Sequence, residues 1–448
     1  MAPLFWKPLA ILIPFIAIQI GFLFSPIPRQ LGLYRWVAQN VYYPRFVGWM
    51  PAFTGDEKEW AFTFADLYAP GKYYLKGQHA IVTGANSGTG YESALALARL
   101  GASVTMACRN PQRCETAANR IRFDTMYLDL QGSGGTVSTM ILDTSSLASV
   151  QAFAQAFHNN YSKLDMLFLN AGIGLENFKG DGKVPLSVDG IELVFATNHV
   201  GHFLLYRLLE PLLLQSTFAR VVLTSSAGSF RSYPYKVATD LETLNNIKVS
   251  SPGEKRMVYG QSKLAQVFFA QEATRRLLEA NNNNIYVNAA HPGVVDTALF
   301  DKNRHVVPTF LHGLLDYVRQ NVMWTGAEGA LTLLYLGVGT DELKAKNIRG
   351  KYYHPQSIPV SHPLTQGGES LQKKLWEFSD DLVKDYMLIE QEAVLVEEEE
   401  PAPLAPQPDL EVEEAVQAEP VRAEEEPAPE PDDEGLQEAA YHDPQEEL

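Results

Sequence analysis

Cysteine is scarce: among 448 residues only Cys108 and Cys114 occur, six apart. A disulfide-stapled scaffold is excluded, and reduced thiols are the expected state. No H-E-x-x-H or Cys/His ligand spacing exists, so His199, His202 and His291 do not form a metal set. A basic face is lacking too. The formal net charge is -17, and the acidity sits at one end. Gln391–Leu448 holds 21 acidic residues and one basic residue, Arg422, which leaves 32 acidic and 35 basic residues in the rest, a net of +3. Nucleic-acid binding therefore loses its electrostatic argument. Apolar residues at 46% and charged residues at 20% exclude both a wholly disordered chain and a multi-span transporter.

Long apolar runs are nearly absent, with one exception. Leu9–Phe24 is uncharged and broken only by Pro14 and Gln19. It is slightly short of the ~20 residues that span hydrocarbon, though Leu4, Phe5 and Pro8 lengthen it. FSPIPRQ follows where a cleaved leader would place small residues, so residues 1–28 read as an uncleaved membrane anchor. Residues 29–75 read as an interfacial linker, because Tyr34, Trp36, Tyr42, Tyr43, Phe46 and Trp49 alternate with Arg35 and Arg45. Packing of these rings against the body is the alternative. Lys7 precedes the run while Arg29, Arg35 and Arg45 follow it, a slight bias that puts the body in the cytosol. On that orientation the sequon Asn160-Tyr161-Ser162 stays unglycosylated. Residues 391–448, with nine prolines, read as a disordered acidic tail.

Residues 76–390 alternate short apolar runs with amphipathic stretches. Strands are expected at His79–Thr83, Ser103–Cys108, Thr136–Leu142, Leu164–Leu169, Arg220–Thr224 and Ile285–Ala290. Helices are expected at Gly88–Leu100, from Pro111, at Leu147–His158, Gly190–Leu214 and Val258–Leu278. Continuous β-branched and leucine runs separated by helices indicate an α/β fold, a doubly wound parallel sheet of the Rossmann-like kind.

The first strand runs into Thr83-Gly84-Ala85-Asn86-Ser87-Gly88-Thr89-Gly90 and then directly into a helix. Glycine lets the backbone approach a pyrophosphate, and the helix start offers free N–H groups to it. This segment resembles the T-G-x-x-x-G-x-G turn of short-chain dehydrogenases/reductases. Further matches follow in that family's order: Asp143-Thr144, Asn170-Ala171-Gly172, Asn198, Ser225-Ser226, Tyr259-Gly260-Gln261-Ser262-Lys263, and Pro292-Gly293 with Thr297. The phrases ACRN, TNHVGHFLL, AHPGVVDT and LQKKLWEFSDDLV are most similar to the retinol-dehydrogenase-like branch.

The resemblance implies a nicotinamide cofactor held by Gly84, Asn86, Ser87, Gly88, Thr89 and Gly90. It also implies contacts from Asp143 to adenine, from Asn170 on the nicotinamide side, and from Pro292 and Thr297. The second strand ends in Cys108-Arg109, with Arg113 one turn on and no acid there, which favours NADP(H) over NAD. Tyr259 and Lys263 lie at i and i+4, so both face one way on a helix, and an ammonium beside the phenol lowers its pKa toward working pH. Ser226, with Ser225 as the fallback, takes the family's substrate-orienting place. Asn198 takes that of the asparagine that kinks its helix and holds a relay water to Lys263.

Two segments depart from the shortest family forms. Between Ser226 and Tyr259 lie Phe230, Tyr233, Tyr235 and Met257, which read equally as a lipophilic pocket wall or as a surface flap. Phe123–Gly135 reads as an insertion carrying a decoy, Asp129-Leu130, for Asp143-Thr144. The expected function is a membrane-anchored NADP(H)-dependent oxidoreductase acting on a hydrophobic alcohol, aldehyde or ketone of retinoid, sterol or lipid type. It would sit on the endoplasmic reticulum or, alternatively, on a lipid droplet. A catalytically idle scaffold recruiting a partner through its acidic tail is the competing reading. Oligomeric state is open, a homodimer being the form that family helices often make.

Overall fold

The computed structural model describes residues 62–388, apart from 131–133, 175–181, 233–236, 250, 296–311, 314–315, 317–322 and 366. All of these belong to the unit Met1–Gln391; the unit Glu392–Leu448 lies outside them. The expected anchor, most of the aromatic linker and the acidic tail also lie outside the described residues. No helix among the described residues is long and apolar enough to cross a membrane.

Short runs of valine, isoleucine, leucine and alanine become strands, buried through the middle of the sheet and half-buried to exposed at its two edge strands. They are β1 His79–Thr83, β2 Ser103–Cys108, β3 Val137–Ile141, β4 Met166–Leu169, β5 Ala219–Thr224, β6 Ile285–Ala290, β7 Tyr352–His354 and β8 Ile358–Pro359. Their order in the sheet is β3-β2-β1-β4-β5-β6-β7-β8. All pairs are parallel except the terminal β7–β8 pair. Alternate residues feed opposite cores: Ile81 packs into one, while Ala80 and Val82 pack into the other. That is the two-sided burial a doubly wound sheet requires. The order reverses between β1 and β4, which opens a crevice at their carboxyl ends.

The helices that cover the sheet are α1 Gly88–Arg99, α2 Pro111–Leu130, α3 Leu147–Asn160, α4 Gly201–Leu214, α5 Pro252–Glu279, α6 Gly326–Val338 and α7 Glu369–Val383. Three of them differ from the sequence expectation for a local reason. α5 starts six residues before Val258, because Ser251 and Glu254 form a reciprocal capping box and Pro252 takes the first turn. The expected helix Gly190–Leu214 is interrupted: a short turn Leu193–Phe195 passes into a π-turn Ala196–Val200 before α4 begins. α2 runs on through Leu130, so Asp129 belongs to a helix and not to a strand end.

The body also reaches further toward the N-terminus than residue 76. Phe62, Leu67 and Leu75 are buried, and the Phe62 ring lies 5.4 Å from that of Tyr335 on α6. These three residues of the expected linker join the core that α6 also lines, while Phe64, Tyr68 and Tyr74 stay exposed.

Candidate active site

The Gly-rich turn sits at the crevice, between β1 and α1. Gly84 and Gly88 have φ of +66° and +58°, values open to glycine at little cost. A Cβ on Gly90 would lie 2.5 Å from both the Asn170 amide nitrogen and the Gly84 carbonyl oxygen. The chain therefore leaves no room for a side chain on the inner wall of the turn. Ser87 occupies the N-cap of α1 without using its side chain as a cap, so the helix start keeps N–H groups for an anion. Asn86 is half-buried and Ser87 exposed on the rim.

Asn170 ties the turn to the sheet. Its Nδ2 donates to the Thr83 carbonyl at 3.0 Å, and its Oδ1 accepts from Thr89 Oγ1 at 2.8 Å. Thr83 Oγ1 in turn accepts from the N–H groups of Asn170 and Ala171 at 2.8 and 2.9 Å. Both ends of the Asn170 amide are thus used within the protein. The side chain thereby organises the turn. Asp143 likewise turns inward on its own loop, with Oδ1 accepting from the N–H and the hydroxyl of Ser145 at 2.9 and 2.6 Å.

Arg109 and Arg113 are exposed just beyond the end of β2. Cys108, the last residue of β2, is bonded to Cys114, with the two Cα atoms 5.9 Å apart. This corrects the expectation of reduced thiols. Asn110 Oδ1 accepts from Arg113 N at 2.8 Å, and the first turn of α2 folds back so that Cys114 comes to the strand end.

On the other side of the crevice, α5 presents Tyr259 and Lys263. Lys263 is buried, its Nζ donates to the Thr224 carbonyl at 2.8 Å, and it lies 5.7 Å from the centre of the Tyr259 ring. Burial lowers its ammonium pKa from 10.5 to about 8. Ser226 and Tyr259 flank Gly228: a Cβ there would stand 3.1 Å from Tyr259 Cε1 and 3.4 Å from Ser226 Oγ. Ser225 points the other way and donates to the Lys263 carbonyl at 2.7 Å. Of the adjacent serines, Ser226 is therefore the one beside Tyr259.

Asn198 lies in the π-turn, where the irregular backbone turns its amide toward the loop after β4. Its Oδ1 accepts from Ile173 N at 2.8 Å, and its Nδ2 donates to the Ile173 carbonyl and to Ser262 Oγ, each at 2.9 Å. Gly172 keeps this corner open: a Cβ would meet both Asn198 Oδ1 and Lys263 Nζ at 3.2 Å. Glu192 sets up the turn by accepting from Val194 N and Phe195 N at 2.9 and 2.7 Å.

His202 was given no role by the sequence, yet it bridges Asn198 and the strand end. Its Nδ1 lies 3.1 Å from the Asn198 carbonyl, and its Nε2 lies 3.0 Å from Thr83 Oγ1. The i, i+4 spacing from Asn198 was the available signal. His199, His202 and His291 are all buried, which pulls their pKa values down to about 3 and keeps them neutral. Pro292 follows β6, and Gly293 turns the chain at φ +92° against Trp324. Thr297, Tyr233 and Tyr235 lie outside the described residues. Phe230 is buried and stacks on His362 at 4.3 Å, as a core residue does.

Comparison with known proteins agrees with this arrangement. Residues 78–238 match the short chain dehydrogenase family model. The chain is 35% identical over 313 residues to retinol dehydrogenase 14 of Mus musculus, covering 69% of this chain and 86% of that one. It is 38% identical over 312 residues to dehydrogenase/reductase SDR family member 13 of Bos taurus, covering 69% and 74%. A crystal structure of an uncharacterized protein from Mycobacterium paratuberculosis superposes with a TM-score of 0.50 at 30% identity, over 70% of this chain and 97% of that one. The chain belongs to the short-chain dehydrogenase/reductase family, in its retinol-dehydrogenase-like branch, and is an oxidoreductase that works with a nicotinamide cofactor.

Proposed function

We propose that the protein is an NADP(H)-dependent, membrane-associated oxidoreductase that interconverts a hydrophobic alcohol with its aldehyde or ketone. Tyr259 is the general acid/base. The observation that carries this reading is the buried Lys263 ammonium 5.7 Å from the Tyr259 ring, with Tyr259 Cε1 and Ser226 Oγ both within 3.4 Å of where a Cβ on Gly228 would stand. The turn fits a dinucleotide: its backbone approaches closely at Gly84 and Gly90, and the start of α1 is left without a side-chain cap.

When bound, the cofactor supplies or accepts the hydride. In the reducing direction the Tyr259 hydroxyl gives its proton to the carbonyl oxygen, and Ser226 Oγ holds that oxygen by a hydrogen bond. The Lys263 cation stabilises the phenolate that results, in a site where burial strengthens the attraction. The Thr224 carbonyl, accepting from Lys263 Nζ at 2.8 Å, holds the ammonium in place. Arg109 and Arg113, exposed just beyond the end of β2 with no acid at that strand end, support NADP(H), since a cation there accommodates the extra phosphate. The lipophilic substrate class is supported by the named retinol dehydrogenase among the relatives. A second support is the apolar Leu9–Phe24, which would bring the site to a membrane that holds such substrates.

The test follows NADPH and NADH oxidation by the full chain in detergent with retinaldehyde, fatty aldehydes and keto-steroids, alongside Tyr259→Phe. Turnover with NADPH that drops by about 10³-fold or more in the variant, with cofactor affinity kept, is the expected result. Turnover that survives the substitution would overturn the assignment of Tyr259.

A further inference from the structure

Between the cofactor turn and the helix that carries Tyr259 and Lys263 lies a buried histidine to which the reaction above gives no part. His202 stands in the first turn of α4, two residues past the π-turn. Thr83 meets one of its ring nitrogens and Asn198 the other. His202, Thr83, Asn198, Ser262 and Gln266 are all buried.

The bonding of its neighbours fixes which nitrogen carries the proton. Thr83 Oγ1 has two lone pairs, and the N–H groups of Asn170 and Ala171 fill both, at 2.8 and 2.9 Å. Only its own proton is left to meet His202 Nε2, which at 3.0 Å is nearer than the Phe168 carbonyl at 3.3 Å. Nε2 therefore accepts. In a ring that burial keeps neutral, the proton then sits on Nδ1. Nδ1 donates to the Asn198 carbonyl at 3.1 Å, and Gln266 Nε2 donates to the same oxygen, the two nitrogens converging on it 3.2 Å apart.

Through this ring the two halves of the site are joined. On one side Thr83 Oγ1 holds the backbone of Asn170, whose side chain accepts from Thr89 in the Gly-rich turn. On the other, Asn198 Nδ2 donates to Ser262 Oγ, and Ser262 Oγ donates to the Tyr259 carbonyl at 2.8 Å. Such a chain holds its geometry, because a buried group that loses its partner is costly. We propose that His202 is a positioning residue whose ring couples the turn that receives the dinucleotide to the π-turn and helix that set Asn198, Tyr259 and Lys263. Nε2 serves the turn and Nδ1 serves the π-turn, so the two halves can be tested apart.

The test uses the full chain in detergent. In the cofactor-free protein, NMR of the imidazole nitrogens, with His202 assigned by its loss in the variants below, should show a neutral ring protonated at Nδ1. A ring protonated at Nε2, or at both nitrogens, at pH 7 overturns the proposal. His202→Asn keeps a donor near the place of Nδ1 and deletes the Nε2 acceptor, whereas His202→Gln reaches toward Thr83 with an acceptor and deletes the Nδ1 donor. The Asn variant should weaken NADPH binding in calorimetry by about fivefold with kcat within about twofold of wild type. The Gln variant should lower kcat about tenfold with NADPH affinity within about twofold. Losses that fall equally on both quantities in both variants, tracking only a fall in Tm, would make His202 a packing residue and sink the proposal. Two folded variants with both quantities unchanged would do the same. Should one variant not fold, the ring tautomer and the other variant decide. The kcat readings rest on the oxidoreductase function proposed above, whereas the tautomer and the NADPH affinity do not. An inactive wild type with the expected tautomer and the expected loss of affinity in His202→Asn would therefore count against that function alone.

Discussion

Lys263→Met should make the protein more stable and leave it inactive. The ammonium is 3% exposed, and burial lowers its pKa from 10.5 to about 8. That lowering corresponds to roughly 3 kcal/mol of unfavourable charge burial at neutral pH. Because the folded pKa lies below the unfolded one, the unfolded chain binds more protons between about pH 8 and 10.5. Wild-type stability therefore rises across that window, and the burial cost is fully present below it. Methionine keeps the stem and removes the charge, but it withdraws a donor from the Thr224 carbonyl, a loss of about 1–2 kcal/mol. The net expectation at pH 7 is a variant more stable by about 1–2 kcal/mol, an advantage that disappears or reverses by about pH 10.5. Urea denaturation of the cofactor-free chain at both pH values measures this directly, and turnover should be undetectable. A variant less stable than wild type at pH 7, or a difference that does not change with pH, would refute the reasoning. The lysine would then be held at no electrostatic cost.

Three further outcomes follow from the same geometry. Arg109→Asp should lower the NADPH-over-NADH ratio of kcat/KM by at least about tenfold, and an unchanged ratio would remove Arg109 from cofactor choice. Gly337→Ala places a Cβ 2.2 Å from Cζ of buried Phe168; overpacking of about 1–3 kcal/mol should outweigh the helix-propensity gain of about 1, so Tm should fall by several degrees rather than rise. Glu192 is held in its buried cap with its pKa raised from 4.5 to about 7, so the stability it contributes is present below about pH 4.5 and lost as pH rises through 7. Glu192→Gln should remove that slope, and parallel stability–pH curves for variant and wild type would show that the carboxyl does not titrate there.

The strands most faithfully legible in the amino-acid order are β1, β2 and β6, whose observed ends coincide with the expected ones. Burial on both faces demands an unbroken apolar run, and turn residues bound it sharply. The Gly-rich turn, Asn198, Ser226, Tyr259 and Lys263 were named from the ordered motifs that resemble the short-chain dehydrogenase/reductase family, which stand in the sequence before any tertiary contact is known. The break at Ala196–Val200 was less legible, since a π-turn costs little in local propensity and is held by the distant Ile173 and Ser262 contacts of Asn198. The early start of α5 was readable in Ser251-Pro252-Gly253-Glu254, a capping signal that a search for apolar periodicity passes over.

Chain order alone thus determined the doubly wound class, the strand succession and the residue types at the reaction centre, because these depend on hydrophobic period and short-range spacing. Tertiary structure alone decided that Ser225 turns away to bond the Lys263 carbonyl, that Asn170 spends its amide on the turn, and that Cys108 meets Cys114. It also decided that Phe62, Leu67 and Leu75 join the core, and that Tyr352 and His354 of β7 pack against Phe230. Each of these depends on contacts between segments far apart in sequence, or on the direction a side chain takes when its backbone is packed. Local propensity is silent on both.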